Sequence, residues 1–336
     1  MKTIHQVLLC AVGAIIFFAL YLGGGSETSQ APQQSEAYNI KGVHNQVSEA
    51  ELNKQLFSDN QAKSLVGFTK YRYRHEYHLN VDGRVDRTTF KFPIPQDEIG
   101  KQYISNLKIS PKPTKLYSTG TNIIAEYNLK DLKAGKYVYT IDAIADIKKY
   151  DITAAKRNNK VLEKENNINR YLIAENNIEV DHPYIKQIAN KIEGNSTEEI
   201  VDNIFKYVKN KIHYTTTTQG TSAVKALKSG RGKCGEYAIA MVSLCRAKGI
   251  PARIVSGNIA REKDQKHTWV EVYFNNYGWV LYDPTDQNAQ IYSSKQNYVS
   301  AIRNDLVSWY ISYSQVNTGY NGNISVDENI MIKEIR

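Results

Sequence analysis

The sequence predicts an α+β fold in which a strand-rich region is followed by a region of mixed helices and strands. Residues 67–150 consist of short stretches that alternate polar and apolar residues and are separated by Gly and Pro, which is typical of half-buried antiparallel strands. From Ser196 onward the apolar residues recur at helical spacing. Residues 267–285 return to strand patterning with a turn in the middle, which predicts a β-hairpin.

The N-terminal residues 1–25 are predicted to form an apolar helix that acts as a signal anchor or transmembrane segment. Val7–Leu22 contains sixteen residues without a charge, which approaches the roughly 20 that a helix needs to cross a bilayer. Lys2 on the short flank favours a cytoplasmic N-terminus, so the bulk of the chain is expected to be extracytoplasmic. The pattern leaves open whether the segment is cleaved or retained. Residues 26–61, rich in Ser, Gln and Glu, are predicted to be a flexible tether.

Composition limits the classes of protein to which the chain can belong. Its 336 residues suffice for two or three domains. A composition of 41% apolar and 23% charged residues excludes a disordered chain and a multi-span membrane protein. Three cysteines cannot build a disulfide framework. The formal charge of +9 favours contact with an anionic envelope polymer, but the basic residues are scattered, so nucleic-acid binding is not expected. Because the cysteines and histidines lack ligand spacing, we expect no metal and no cofactor.

A cysteine is predicted at the start of a long helix that opens with GRGKCGEYA. Ala238, Met241, Val242 and Cys245 follow Cys234 by 4, 7, 8 and 11 positions, so Cys234 lies on the buried stripe at the first turn. A helix N-terminus carries partial positive charge, which lowers the pKa of a thiol and suits an oxyanion. Cys245 lies roughly 16 Å farther along the axis, too far for a disulfide, and is interpreted as core packing.

The predicted hairpin carries a histidine at the start of one strand and an aspartate at the end of the next. A two-residue loop would put His267 and Asp283 on opposite faces, whereas a three-residue loop over 275–277 pairs Phe274 with Gly278 and puts them on one face. Three-residue loops commonly need Gly at the bulge after the turn, and Gly278 occupies that position. The sequence therefore predicts the bulged turn, with His267 and Asp283 within reach of each other.

A helix-borne cysteine with a histidine and an aspartate on adjacent strands is the arrangement of thiol nucleophilic catalysis. Four blocks, GRGKCGEYA, GIPARIVSG, HTWVEVY and WVLYDPTD, together resemble the transglutaminase-like superfamily, whose core has a papain-like fold. The resemblance covers residues 196–290. It implies that Cys234 is the nucleophile, that His267 is the general base and later the acid, and that Asp283 orients the imidazole.

The resemblance also suggests which groups line the cleft. The backbone N–H of Cys234 is expected to donate to the oxyanion. Family members often use an upstream aromatic or Gln side chain as a second donor, which makes Tyr214 and Gln219 candidates. Trp269 is a further candidate for lining the cleft.

Three functions follow from these observations. The first is a transglutaminase-like thiol enzyme outside the cytoplasm that acts on amide bonds of a protein or peptide substrate through a Cys thioester, by acyl transfer or by hydrolysis. The second is a cysteine peptidase or amidase of the same fold, since both outcomes share the first half-reaction. The third is a non-catalytic module that binds an anionic envelope polymer and has a vestigial triad.

The strand-rich region contains no catalytic cluster. His75 shares one face of a strand with Tyr73 and Tyr77, and we interpret it as structural rather than as a metal ligand. Ser196 and Glu199 have the spacing of a capping box, which places a helix start there. The predicted segments are a signal anchor (1–25), a flexible tether (26–61), a β-sandwich-like domain (62–150), a helical linker (151–195), the transglutaminase-like catalytic core (196–290) and a C-terminal extension (291–336).

Overall fold

The computed structural model describes residues 38–40, 67–98, 101–119, 122–148, 167–216, 222–260, 266–276, 278–286, 298–303, 313–316 and 322–335. The predicted apolar segment 1–25 lies outside these ranges. Within them, every helix is too short or too polar to cross a membrane.

The described elements are numbered in chain order. The strands are β1 (Tyr38–Ile40), β2 (Phe68–Asp82), β3 (Val85–Ile94), β4 (Gln102–Ser110), β5 (Lys115–Ser118), β6 (Ile123–Leu132), β7 (Gly135–Lys148), β8 (His213–Tyr214), β9 (Arg231–Gly232), β10 (Ala252–Ile259), β11 (Lys266–Phe274), β12 (Gly278–Tyr282), β13 (Tyr298–Arg303), β14 (Tyr313–Val316) and β15 (Asn323–Glu334). The α-helices are α1 (Pro183–Lys191), α2 (Thr197–Lys211), α3 (Ala223–Ser229) and α4 (Cys234–Ala247), preceded by a 3₁₀ turn at Ile168–Tyr171.

Two antiparallel sheets form the strand-rich part of the molecule, which we call the β domain (the strands β1–β7, β14 and β15). One sheet has the order β1-β4-β7-β2-β15 and the other β14-β3-β6-β5. Alternate residues of β2 are buried, as the period-two pattern predicted. β1 lies within the predicted flexible tether 26–61, where the structure instead pairs residues 38–40 with β4.

Aromatic side chains from both sheets share one core. The rings of Tyr77 on β2 and Phe92 on β3 stack with centroids 4.4 Å apart, and those of Tyr139 on β7 and Phe90 on β3 lie 4.9 Å apart. Burying each such ring contributes roughly 1.5–3 kcal/mol. The two sheets are therefore held together by their facing apolar surfaces.

The second part of the molecule is a four-stranded antiparallel sheet, β12-β11-β10-β13, packed against helices. Apolar residues of α4 share a core with those of β10, β11 and β12 and with the other three helices. Apolar residues between positions 178 and 192, a segment that the sequence analysis assigns to the linker, belong to this same core. The domain therefore begins before Ser196, because α1 supplies Ile185 and Ile188 to its interior.

The start of α2 differs in one detail from the expected capping box. Ser196 Oγ accepts a hydrogen bond from Glu199 N–H at 3.2 Å, as predicted. The Glu199 carboxylate, however, accepts from Asn195 N–H at 2.7 Å rather than from Ser196. The helix begins at Thr197 all the same, because the Ser196 cap is present.

Strands of the C-terminal extension are distributed over three sheets. β15 pairs with β2, β14 with β3 and β13 with β10. The extension therefore adds strands to both parts of the molecule, and β15 brings the C-terminal residues beside the first long strand of the β domain.

Candidate active site

Cys234 is the first residue of α4, at the position that the helical pattern predicted. Hydrogen bonds fix this helix start: Lys233 N–H donates to Glu236 Oε2 at 2.9 Å, and the Tyr237 hydroxyl donates to the carbonyl of Ile212. The N–H groups of a first helical turn have no partner within the helix. Cys234, which is half-buried, is thus presented beside donors and partial positive charge.

The β11–β12 hairpin has the bulged turn that the sequence predicted. Phe274 pairs with Gly278, which takes a left-handed conformation with φ of 74°. In this register His267 and Asp283 come together, with 2.7 Å between His267 Nε2 and Asp283 Oδ2. Because a carboxylate only accepts, the proton of this hydrogen bond is carried by Nε2. The other ring nitrogen, Nδ1, is then available toward Cys234.

Thr285 holds the second oxygen of the Asp283 carboxylate. Asp283 Oδ1 accepts from the Thr285 hydroxyl at 2.6 Å and from the Thr285 N–H at 3.0 Å. The same hydroxyl oxygen lies 3.4 Å from His267 Nε2. Since Asp283 is only 3% exposed, both of its oxygens are oriented by the protein.

The environment of Cys234 stabilises its thiolate. Burial alone would raise the pKa of the thiol, but hydrogen bonds from His267 and Thr268 and the positive charge of His267 outweigh it. The net effect is a pKa below the ordinary value for cysteine. Cys245 behaves oppositely: it is fully buried, and burial raises the pKa of its thiol far above the usual range.

His267 is stabilised in its protonated form. Burial by itself would lower the pKa of the imidazole, but the hydrogen bonds to Asp283 and Cys234 and their negative charges raise it well above its usual value. The opposite pKa directions of the two groups favour a thiolate–imidazolium pair at neutral pH. Such a pair is the reactive form of a thiol nucleophile.

The three further cleft candidates, Tyr214, Gln219 and Trp269, differ in their surroundings. Tyr214 on β8 pairs with Gly232 on β9 and is 59% exposed. Partial burial, and to a lesser extent the negative charge of Cys234, raise the pKa of its phenol. Trp269 is only 2% exposed and stacks on His267 with ring centroids 6.3 Å apart, which leaves it little surface for a substrate. Gln219 lies outside the described residues.

Sequence reasoning missed Thr268 and Thr285. Thr285 follows Asp283 by two residues, and its N–H donates back to the aspartate side chain, which is the local geometry of an Asx turn. The Asp-Pro-Thr sequence therefore held a signal for this contact. Thr268 has no comparable signal, because its contact with Cys234 depends on how α4 packs against β11.

Among the described residues no group of three or more His, Cys, Asp or Glu side chains could hold a metal ion. His75, which the sequence analysis interprets as structural, contacts two other side chains of the β domain. Its Nε2 lies 2.8 Å from Glu328 Oε2, and its Nδ1 lies 3.1 Å from the Tyr73 hydroxyl.

Comparison with known proteins gives three kinds of match. The model of the transglutaminase-like superfamily matches residues 186–284. A protein from Cytophaga hutchinsonii, described as a candidate cysteine protease, superposes with a TM-score of 0.60 at 18% identity, over 80% of this chain and 91% of that one. A likeness at this identity shows a shared fold.

Two curated relatives match a shorter stretch. An uncharacterized protein of Bacillus subtilis is 39% identical over 69 residues, which is 16% of this chain and 9% of that protein. The protein-glutamine gamma-glutamyltransferase of Pseudomonas aeruginosa is also 39% identical over 69 residues, which is 17% of this chain and 10% of that enzyme. The match to this chain therefore covers about a tenth of the length of either relative. On the family match, residues 186–284 are a domain of the transglutaminase-like superfamily.

Proposed function

We propose that this protein is a thiol enzyme that opens amide bonds of proteins or peptides through a thioester on Cys234. The observation that carries the proposal is the arrangement around His267, whose ring is hydrogen-bonded to Asp283 at 2.7 Å on one side and interacts with Cys234 on the other. A cysteine that served only in core packing would not require a buried imidazole held in orientation by a carboxylate. The proposal gives each of the three side chains a chemical role.

In the first half-reaction the Cys234 thiolate attacks the amide carbonyl carbon and forms a C–S bond. The carbonyl electrons move to oxygen, and the tetrahedral intermediate then expels the amide nitrogen as the C–N bond breaks. His267, as imidazolium, gives its proton to that nitrogen, which leaves as an amine or ammonia. Asp283 holds the ring in place and stabilises the imidazolium.

Two donors are proposed for the oxyanion. The Cys234 N–H lies in the first turn of α4, where helical N–H groups lack partners. The hydroxyl of Tyr214 is the second, because this exposed side chain interacts with Cys234. Each donor of this kind is worth roughly 3 kcal/mol in comparable sites.

The acyl group then passes to an amine or to water, with neutral His267 taking the proton of the attacking group. Transfer from a glutamine side chain is supported by the name of the Pseudomonas aeruginosa relative, a protein-glutamine gamma-glutamyltransferase. Hydrolysis is supported by the Cytophaga hutchinsonii protein, described as a candidate cysteine protease. Both fates use the same thioester, so the proposal names the shared first step.

The proposed location is outside the cytoplasm. In this proposal residues 1–25 anchor the chain in a membrane, because the apolar run is about long enough to cross it. The β domain is then a β-sandwich between the tether and the catalytic domain. The formal net charge of the chain, +9, would favour contact with an anionic envelope surface.

Mass spectrometry tests the proposal and separates the outcomes. The purified full chain is incubated with a glutamine-containing protein, with and without an added primary amine. Amine incorporation identifies acyl transfer, a gain of one mass unit identifies deamidation, and backbone cleavage identifies a peptidase. If the substrate mass stays unchanged with a range of proteins and Cys234 shows no activated thiol, the protein is a binding module with a vestigial triad.

A further inference from the structure

A charged network joins the β domain to the strand that carries His267. Both carboxylate oxygens of Glu328 on β15 are engaged: Oε2 lies 2.8 Å from His75 Nε2, and Oε1 lies 2.6 Å from Lys266 Nζ. The side chains of Glu328 and His75 are mostly buried, whereas that of Lys266 is 41% exposed. One carboxylate near the C-terminus therefore connects β2 with the first residue of β11.

A second contact holds the neighbouring strand at the same level. Asn258 on β10 pairs in register with Lys266. The Tyr73 hydroxyl lies 3.4 Å from Asn258 Oδ1 and 3.1 Å from His75 Nδ1. Both strands of the β10–β11 pair are thus attached to the β domain one residue away from His267.

The ionisation states of the network are mutually consistent. Burial would raise the pKa of Glu328, but His75 and Lys266 hold it below its usual value. Burial lowers the pKa of His75, against the opposing effect of Glu328, so the ring is neutral. The His75 Nε2–H then donates to the Glu328 carboxylate, and the one proton of the Tyr73 hydroxyl is shared between two acceptors, His75 Nδ1 and Asn258 Oδ1. The carboxylate is left ionised and paired with the Lys266 ammonium.

The start of β11 needs such an attachment. β12 pairs with β11 from Val270 to Phe274, whereas β10 pairs with β11 from Lys266 onward. In the described ladders, residues 266–269 of β11 are therefore backed by one neighbouring strand instead of two. His267 lies in this singly backed segment, although its ring must stay in contact with both Asp283 and Cys234.

We propose that Glu328 is a positioning residue for His267: it fixes the first residue of β11 through Lys266 and so keeps the imidazole against the thiol. This inference rests on the function proposed above. A reactive pair must be held within about 0.5 Å of its productive geometry, and the Glu328–Lys266 pair acts one residue from His267. The β domain thereby becomes part of the catalytic apparatus rather than an independent appendage.

The test measures the rate of Cys234 alkylation by iodoacetamide against pH in the purified full chain, using peptide mass spectrometry. In Glu328→Gln and Lys266→Met we expect alkylation near neutral pH to slow by about tenfold, since a displaced reacting group loses rate steeply. The pH profile of alkylation should move toward that of an ordinary thiol. In the assay of amide turnover, the factor by which kcat falls should be larger than the factor by which KM changes. Lys266→Arg, which keeps the charge, should restore the profile. Asp142→Asn, which removes the 2.8 Å pair with Arg74 elsewhere on the β domain, serves as the matched control.

The proposal is overturned if folded Glu328→Gln and Lys266→Met keep the wild-type pH profile. Should Glu328→Gln fail to fold, the two Lys266 variants decide, because this partly exposed side chain tolerates replacement. An effect equal to that of Asp142→Asn would also overturn it, since it would reflect general loosening of the β domain. Failure of the proposed function is distinguishable, because it appears as an ordinary thiol profile in the wild-type chain itself.

Discussion

His267 and Asp283 meet across the β11–β12 hairpin, with 2.7 Å between Nε2 and Oδ2, because the turn pairs Phe274 with Gly278. Pairing Asn275 with Gly278 instead would shift β12 by one residue and turn Asp283 to the opposite face. The left-handed φ of 74° at Gly278 accommodates the bulged turn. The relation between the two side chains thus depends on the length of a single turn.

Replacing Cys234, the proposed nucleophile, should remove turnover and leave the fold intact. In Cys234→Ala the thioester cannot form, so we expect no product above background in the mass-spectrometric assay. Because the side chain lies at a half-buried helix start, the circular dichroism spectrum and melting temperature should stay close to wild type. His267→Ala should be nearly as inactive. Full activity in Cys234→Ala would refute the thioester mechanism.

Asp283→Asn should leave partial activity. The carboxylate accepts from His267 on one oxygen and from Thr285 on the other, whereas an amide offers one acceptor and one donor. One of the two contacts must therefore be lost, which disturbs the ring tautomer. We expect kcat/KM to fall by about a hundredfold or more from the wild-type value. The remaining kcat/KM should still be higher than that of Cys234→Ala. Steady-state kinetics on the two variants side by side give the comparison, and an unchanged kcat/KM would contradict the orienting role.

Thr285→Val should weaken the orientation of Asp283. The substitution removes the hydroxyl that lies 2.6 Å from Oδ1 but keeps the backbone donor. A hydrogen bond to a charged group is worth about 1.5–3 kcal/mol, so we expect kcat/KM to fall by roughly 10- to 150-fold. Thr285→Ser keeps the hydroxyl and should retain most of the activity. Equal kinetics in the Val and Ser variants would show that the hydroxyl has no such role.

Gly232→Ala should destabilise the domain that contains α4. A methyl group at Gly232 would lie 2.5 Å from Cβ of Glu236, whose carboxylate caps α4 by accepting from Lys233 N–H. We expect a loss of about 1–3 kcal/mol in the free energy of unfolding, measured by chemical denaturation. Gly235→Ala is the matched control, since a methyl group there meets no atom within 4 Å. The packing account fails if both variants unfold at the wild-type denaturant concentration.

The sequence predicts the local geometry around Cys234, His267 and Asp283 better than it predicts the domain limits. Cys234 at a helix start and the bulged hairpin follow from local spacing, and both appear in the structure. The capping pattern at Ser196 is also local, but it does not reveal that the domain core begins earlier, at Ile178. A polar stretch before a well-capped helix resembles a linker even when its few apolar residues are buried.

The sequence does not reveal which side chains from distant parts of the chain contact each other. His75 and Glu328 are 253 positions apart, and no local pattern links them. The strand pattern alone predicts a structural role for His75. Its contacts with Glu328 and Tyr73 are consistent with that interpretation, but the connection onward to Lys266 depends on β15 pairing with β2. Such non-local partners are set by the packing of whole sheets rather than by neighbouring residues.

Amide turnover should persist through neutral pH and fall on both sides. The thiolate forms as pH rises through the lowered pKa of Cys234, so the acid limb lies below the ordinary thiol range. The imidazolium is lost as pH rises through the raised pKa of His267, so the alkaline limb lies above the ordinary histidine range. A pH profile of kcat/KM reports both limbs. A profile that rises steadily into alkaline pH would contradict the role of a protonated His267.

The pH dependence of Cys234 alkylation in the wild type and in His267→Ala tests most directly whether His267 activates the thiol. In the wild type we predict rapid alkylation by iodoacetamide below about pH 7, with Cys245 unreactive in the same sample. In His267→Ala the rate at Cys234 should follow the higher pKa of a buried thiol that has lost its imidazole partner. The contrary result is an identical pH profile in the two proteins, in which Cys234 reacts only as the pH nears 9.0, the usual pKa of a thiol. That result would contradict the activation of Cys234 by His267.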